Sequence, residues 1–220
     1  MLKLISLCKR FGDVRAVENI SFNLEQGEAV ALLGPSGSGK TTILRLIAGF
    51  EQPDSGQAWL HERLVSDSNT TSPPHQRDIG FVFQQPTLWP HMTVWQHLLF
   101  AARERPDRAV CERLQGLLEI TGLHDLANRY PGEISGGQAR RVGLARALAA
   151  RPRLLLMDEP FTNLHEQAKE EMRTIVLTTV RESGCGMLFV THDEREAEAM
   201  TARSLRIDAG QLVTENSLVP

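Results

Sequence analysis

The stretch GPSGSGKTT, Gly34 to Thr42, has the spacing G-x-x-x-x-G-K-[ST], and it falls between the apolar run EAVALL and the helix-prone segment GKTTILRLIAGF. Glycines at such a junction let backbone N–H groups curl around phosphate oxygens, and the helix start adds about half a positive charge. Gly34, Pro35, Ser36, Gly37, Ser38 and Gly39 are the expected cradle, with Thr42 beside it. Lys40 is expected to reach the β- and γ-phosphates of a nucleotide, and the Thr41 hydroxyl to ligate Mg²⁺. A second apolar run, LLLMDE, delivers Asp158 to a strand end, where a carboxylate can hold the metal through water. Glu159 is then placed to act as the general base that orients and deprotonates an attacking water. His192, closing the run FVTHD, reaches the same edge and can donate a hydrogen bond to a γ-phosphate, which ADP lacks.

One further motif poses a question. In EISGGQARR, Glu133 to Arg141, Ser135 is a good N-cap, yet two glycines occupy the first helical turn. Each costs about 1 kcal/mol against alanine in a helix interior. The compensating gain is backbone N–H groups left bare for something negative to approach.

Positioning these residues requires strands that feed helices. EAVALLG is a fully apolar run ending in glycine, the pattern of a buried parallel strand, and RLLLMD and MLFVTH repeat it. Each is followed by a helical segment: GKTTILRLIAGF to about Gly49, LHEQAKEEMRTIVLTTVRES, and DEREAEAMTA. Before them LKLISL and AVENISFNL read as extended segments, and LRIDAGQLVTE reads as a hairpin turning at Asp208 to Gly210. The polar stretch Ser66 to Gln76 reads as a loop. From Thr93 to about Ala150 the period becomes helical, with Val110, Leu114, Leu117 and Leu118 on one stripe. The expectation is one α/β domain over residues 1–220. Its core covers about 1–87 and 150–220, and a helical subdomain is inserted at about 88–149.

Composition sets the outer limits. The chain has 220 residues, 41% hydrophobic and 23% charged, which suits one sizeable soluble domain. A formal net charge of −3 argues against a general nucleic-acid partner. No apolar run approaches the roughly 20 residues that span a bilayer, and Met1 opens no signal-peptide pattern, so the expected compartment is the cytoplasm. Cys8, Cys111 and Cys185 read as reduced structural thiols, and the histidines show no metal-ligand spacing.

Taken in order, GPSGSGKTT, FVFQQP, ISGGQ, LLLMDEP and VTHD resemble the nucleotide-binding subunit of an ATP-binding cassette (ABC) transporter over essentially the whole chain. The resemblance implies a phosphate-loop NTPase core, a RecA-like parallel sheet flanked by helices, with an N-terminal antiparallel β region and the inserted helical subdomain. It implies ATP and Mg²⁺ as ligands. It also answers the glycine question: two subunits, identical or paired, meet head to tail, and Ser135, Gly136, Gly137 and Gln138 of one touch the γ-phosphate held at Lys40 of the other. Phe11 falls where the family stacks an aromatic on adenine, with Val17 also against the nucleotide. Gln84 falls where a glutamine contacts Mg²⁺ and the attacking water. PTLWPHMTV, Pro86 to Val94, matches the groove that receives a membrane subunit, with Leu88 and Trp89 as apolar anchors.

The pattern is nearest to bacterial importers of the iron, polyamine, sulfate and sugar type. It implies integral membrane permease partners, an extracytoplasmic solute-binding protein, and residence on the cytoplasmic face of the inner membrane. Those relatives often carry a C-terminal regulatory domain; the sequence ends at Pro220, so that regulation is expected to be absent. The alternative, a soluble ABC ATPase acting on ribosomes or DNA, usually fuses two cassettes or inserts a long coiled coil. A nucleotide-binding module that does not hydrolyse would lack some of Lys40, Asp158, Glu159 and His192, all present here. Two positions depart from the family. Ile134 stands where leucine is usual, a volume-conserving change. His165 stands where an aspartate communicates between the two sites, so slower or pH-dependent turnover is expected.

Overall fold

The computed structural model describes residues 1–162 and 164–217. Strands β1 (Leu2–Phe11) and β2 (Val14–Leu24) form a hairpin, extended by β4 (Ser55–Leu60) and β5 (Arg63–Ser66) into an antiparallel sheet of order β2-β1-β4-β5. The second sheet has the order β10-β9-β3-β8-β7-β6. Its members are β3 (Ala29–Leu33), β6 (Ile79–Val82), β7 (Leu154–Asp158), β8 (Gly186–Thr191), β9 (Arg203–Asp208) and β10 (Gln211–Ser217). From β9 to β6 all pairings are parallel, while β10 joins β9 antiparallel as the expected hairpin.

The apolar runs are strands because both of their faces are covered. Val30 and Leu32, Leu154 and Leu156, and Leu188 and Val190 face a core shared with the antiparallel sheet and α1 (Lys40–Ala48). Their neighbours Ala31, Leu33, Leu155, Met157, Met187 and Phe189 face a second core beneath α5 (Glu166–Ser183) and α6 (Glu194–Met200). Period-two alternation with no polar face gives the continuous apolar strand of a covered parallel sheet.

The helical subdomain has its own core, built from α2 (Val94–Ala102), α3 (Arg108–Ile120) and one face of α4 (Gly136–Ala149). Val110, Leu114 and Leu118 of the expected stripe are buried there. Helix α4 shows no apolar stripe because it serves two cores: Val142, Ala145 and Ala149 pack into the subdomain, Leu144, Ala147 and Leu148 into the sheet. The helix that begins with the SGGQ motif is thus the rod between the two halves of the molecule.

The stretch expected as a plain loop is more ordered than its composition suggests. Ser66 ends β5 and is fully buried, and Pro74–Gln76 makes a 3₁₀ turn. The organising group is buried Arg77. Its Nε donates to the Ser72 carbonyl, Nη1 to Leu46 and Ile47, and Nη2 to the Val65 carbonyl and the Ser66 hydroxyl. It thereby caps the C-terminus of α1. The domain expectation ran to Pro220; Leu218 to Pro220 lie outside the described residues.

Candidate active site

The carboxyl ends of β3, β6, β7 and β8 meet at one edge of the parallel sheet, where open α/β sheets place their ligands. The phosphate loop leaves β3 and turns into α1 at Gly39, whose φ is 102°. A side chain at Gly39 would strike the Ala16 carbonyl, and one at Gly34 the Ile207 carbonyl, so glycine is required at both. Helices α2 to α6 are capped by the side chains of Thr93, Asp107, Ser135, His165 and Asp193; α1 has no side-chain cap. Its first N–H groups are left for a ligand, the arrangement an anion site needs.

Lys40 is buried and its Nζ donates to the Gly34 and Pro35 carbonyls, each at 2.7 Å, and to Ser38 Oγ at 3.2 Å. Burial pulls its ammonium below the usual lysine range, against the opposing pull of Glu159 and Asp158. The Thr41 hydroxyl donates to Asp158 Oδ1 at 2.9 Å. Burial pushes the Asp158 carboxyl up, Glu159 adds to this, and Thr41, Arg45 and Lys40 pull the other way. A hydroxyl and a buried, costly carboxylate held together form the hard-oxygen donor set that suits Mg²⁺.

Glu159 follows Asp158 with φ 46°, its N–H donating to the Val190 carbonyl at 3.1 Å. Its side chain is gripped from three directions. Gln84 Nε2 and Thr162 Oγ1 donate to Oε2 at 3.2 and 3.0 Å, and His192 Nδ1 lies 3.7 Å from Oε1. Glu159 and Gln84 line a cleft of about 560 Å³ together with Ser36 to Thr42, Val14, Arg15, Ala16 and Ala209. A larger open groove of about 970 Å³ along β1 and β2 includes none of the phosphate-loop residues.

The structure brings most of the expected residues together, with corrections. Val17 is not among the residues that line the cleft: it is 1% exposed, its side chain packed in the core beneath β2. Phe11 is exposed at the end of β1, opposite Val14, with Lys9 Nζ 5.5 Å from its ring centroid. Leu88 is not an open anchor; it packs against the subdomain core. The exposed apolar surface there comprises Phe50, Phe83, Trp89 and Phe100, around a groove of about 420 Å³.

Ser135, Gly136, Gly137 and Gln138 take no part in lining this chain's own cleft. Ser135 Oγ accepts from the Gln138 N–H and Gln138 Oε1 from the Ser135 N–H, a reciprocal capping box. A Cβ added at Gly136 or Gly137 would meet nothing within 4 Å. Packing within the chain therefore does not call for glycine at either position.

The sequence pattern of the ABC transporter family matches residues 17–162, about two thirds of the chain. The chain belongs to the ABC transporter family. Among relatives of this family, the Fe(3+) ions import ATP-binding protein FbpC 2 of Haemophilus influenzae is 40% identical over 215 residues, 97% of this chain and 60% of that protein. The trehalose/maltose import ATP-binding protein MalK of Thermococcus litoralis is 41% identical over 215 residues, 96% of this chain and 58% of its own length. The chain thus spans about 60% of the curated relatives it matches. A solved ATP-binding cassette, MJ0796, in a dimeric post-hydrolysis state bound to ADP and Pi, superposes with a TM-score of 0.87 at 30% identity, with both chains fully covered. The ABC fold expected from the motifs, with its parallel core, antiparallel β region and helical insertion, is the fold observed. The ATP-binding cassette character expected of the phosphate loop agrees with it.

Three groups of this ABC cassette site escaped the sequence reading. Val14 to Ala16 and Ala209 reach the cleft only because the hairpin turn folds back, Gly210 N–H donating to the Ser38 carbonyl and Glu18 N–H to the Gly210 carbonyl. Thr162 grips Glu159 from three residues downstream, a spacing that in sequence is only a polar residue in a turn.

Proposed function

We propose that this chain is the ATP-binding and ATP-hydrolysing subunit of an importer, working on the cytoplasmic face of the membrane beneath permease subunits. The observation that carries the reading is the convergence of Lys40, the Thr41–Asp158 pair and the Gln84–Glu159–Thr162 grip on one cleft. Relatives whose printed names are import ATP-binding proteins support import over action on ribosomes or DNA.

The chain's residues divide the work. Lys40 exchanges its carbonyl partners for β- and γ-phosphate oxygens, and the bare N–H groups of α1 hold the rest of the phosphate chain. Thr41 and Asp158, with Gln84 at the far side, would hold Mg²⁺, which when bound neutralises charge developing between the β- and γ-phosphates. Glu159 accepts the proton of an attacking water, and Gln84 and Thr162 fix the carboxylate that accepts it. His192, largely exposed at the rim, donates toward the γ-phosphate. Phe11 offers its ring face to adenine.

The second wall of the site is a partner cassette. Gly136 and Gly137, where a Cβ would meet nothing within 4 Å, present their N–H groups to ATP held in the partner's cleft, and ATP between them joins two chains head to tail. The exposed Phe50, Phe83, Trp89 and Phe100 form the face for a permease segment, and an extracytoplasmic solute-binding protein completes the importer. Helix α4 connects these two surfaces, so loss of the γ-phosphate at one end reaches the other.

The decisive test is purification of the tagged protein from detergent-solubilised membranes of its host, with mass spectrometry of what remains bound. Multi-span membrane proteins are expected; ribosomal or DNA-associated proteins, with the chain absent from membranes, would overturn the reading. A second test concerns His165. It caps α5, its Nδ1 accepting the Ala168 N–H at 3.2 Å, a contact that needs the ring's lone pair. An aspartate would cap equally well and stays an anion across the neutral range, so His165→Asp is expected to remove a pH dependence of turnover. Superimposable pH–rate profiles would end that idea.

A further inference from the structure

Trp89 stands at the mouth of the aromatic groove, and the way it is held is specific. His97, on α2, has no accessible surface. Its Nε2 lies 2.9 Å from the backbone nitrogen of Trp89, and its Nδ1 lies 2.8 Å from the Thr93 carbonyl oxygen. An amide N–H can only donate and a carbonyl can only accept, so the ring carries its one proton on Nδ1 and a lone pair on Nε2. The indole stacks on this imidazole at 5.6 Å and 21° and meets the Phe100 ring edge-on at 5.1 Å. Arg146 of α4 lies over the indole at 5.3 Å and is itself tied to the Thr87 carbonyl and hydroxyl. Held on these sides, Trp89 is still 38% exposed.

We propose that neutral, Nδ1-protonated His97 is the latch that presents Trp89 to the groove, and that protonation of the ring releases it. Acidification then dismantles the docking face while the rest of the fold persists. A proton on Nε2 sets an N–H against the Trp89 N–H, and two donors facing one another at that distance repel. It also places a cation beneath an indole already covered by the Arg146 guanidinium. The charged and titratable groups facing His97 are Arg146 from α4 and His91 from the preceding loop. Burial holds the His97 ring below the usual histidine range; the Thr93 hydrogen bond opposes this, and Arg146 and His91 add to it. The sign follows: the latch is fully present above the ordinary histidine range and is lost as pH falls through the depressed value. His97 is a positioning residue, acting through Trp89.

The proposal rests on the importer reading only for the identity of what docks; the latch can be read on the chain alone. With Trp59 and Trp95 replaced by phenylalanine, Trp89 is the one tryptophan left and its emission reports on the groove. Acidification is expected to shift that emission to longer wavelength, reversibly, with far-UV circular dichroism unchanged. His97→Gln, whose amide can accept from the Trp89 N–H and does not titrate, is expected to abolish the shift, and His91→Gln to preserve it. The proposal is overturned if emission stays constant while the chain is folded, changes only together with unfolding, or shifts equally in His97→Gln. Should His97→Gln fail to fold, the titration of the parent chain and of His91→Gln decides the matter: a shift that vanishes with His91→Gln overturns the latch.

Discussion

Glu159→Gln is expected to reduce ATP turnover of the assembled ATPase by about 10²–10⁴-fold, the range a positioned general base contributes, while ATP binding and ATP-dependent pairing persist. The separation of the two effects comes from geometry. Gln84 Nε2 and Thr162 Oγ1 both donate to Oε2, and a glutamine carbonyl in that place accepts the same two bonds. Asp158, Thr41 and Lys40 do not depend on Glu159 for their own partners. Shape and nucleotide contacts are therefore retained, and what disappears is a group able to take a proton from water. Steady-state phosphate release together with light scattering in ATP measures both quantities. Turnover equal to wild type would remove Glu159 from the base role, and loss of pairing would show that the change reached beyond the proton acceptor.

Arg77→Ala is expected to cost about 3 kcal/mol or more, lowering Tm by roughly 6–12 °C for a domain of this size. Four carbonyls and the buried Ser66 hydroxyl lose the guanidinium together; the Leu46 and Val65 carbonyls keep a backbone donor each, from Gly49 and Ser72, and a buried polar group left unsatisfied costs about 1–3 kcal/mol on its own. Burial lowers the Arg77 guanidinium to about 10, so it remains a cation at neutral pH, compensated by four carbonyl dipoles and the Ser66 hydroxyl. Arg77→Lys is expected to recover only a minor part of the loss, because an ammonium cannot span a helix terminus on one side and a strand and loop on the other. The damage should extend to nucleotide affinity, since the helix end that Arg77 caps belongs to the helix that starts at Lys40. A Tm unchanged within a degree or two would show that water replaces the guanidinium.

The contrast between these residues shows what a sequence displays. Asp158 and Glu159 are legible because they close an apolar run, and Lys40 and Thr41 because a glycine-rich loop leads from another such run into a helix start; strand geometry brings such ends to one edge of a sheet. Arg77 is a single arginine after a polar loop, and nothing near it in sequence announces that its partners lie about 30 residues upstream on α1. Helix α4 is legible from its Ser135 cap rather than from a stripe: periodicity detects a helix with one buried face, and α4 buries two. Val17 adjoins three residues that line the cleft, yet its own side chain is in the core. The linear motif could place the nucleotide near β2 without fixing which side chains face it.

The separation of the phosphate cleft from Ser135–Gln138 on each chain has an arithmetic of its own. In the head-to-tail pairing proposed above, each site takes its cleft from one chain and its SGGQ helix from the other. A chain disabled at Lys40 still lends a sound helix, and a chain disabled at Gly136 still lends a sound cleft. Mixed dimers of the two hold one fully dead site and one fully intact site, whereas each variant alone holds two half-damaged ones. Two inactive alleles expressed together would then complement, and an excess of either one would poison the wild type in proportion to its dosage.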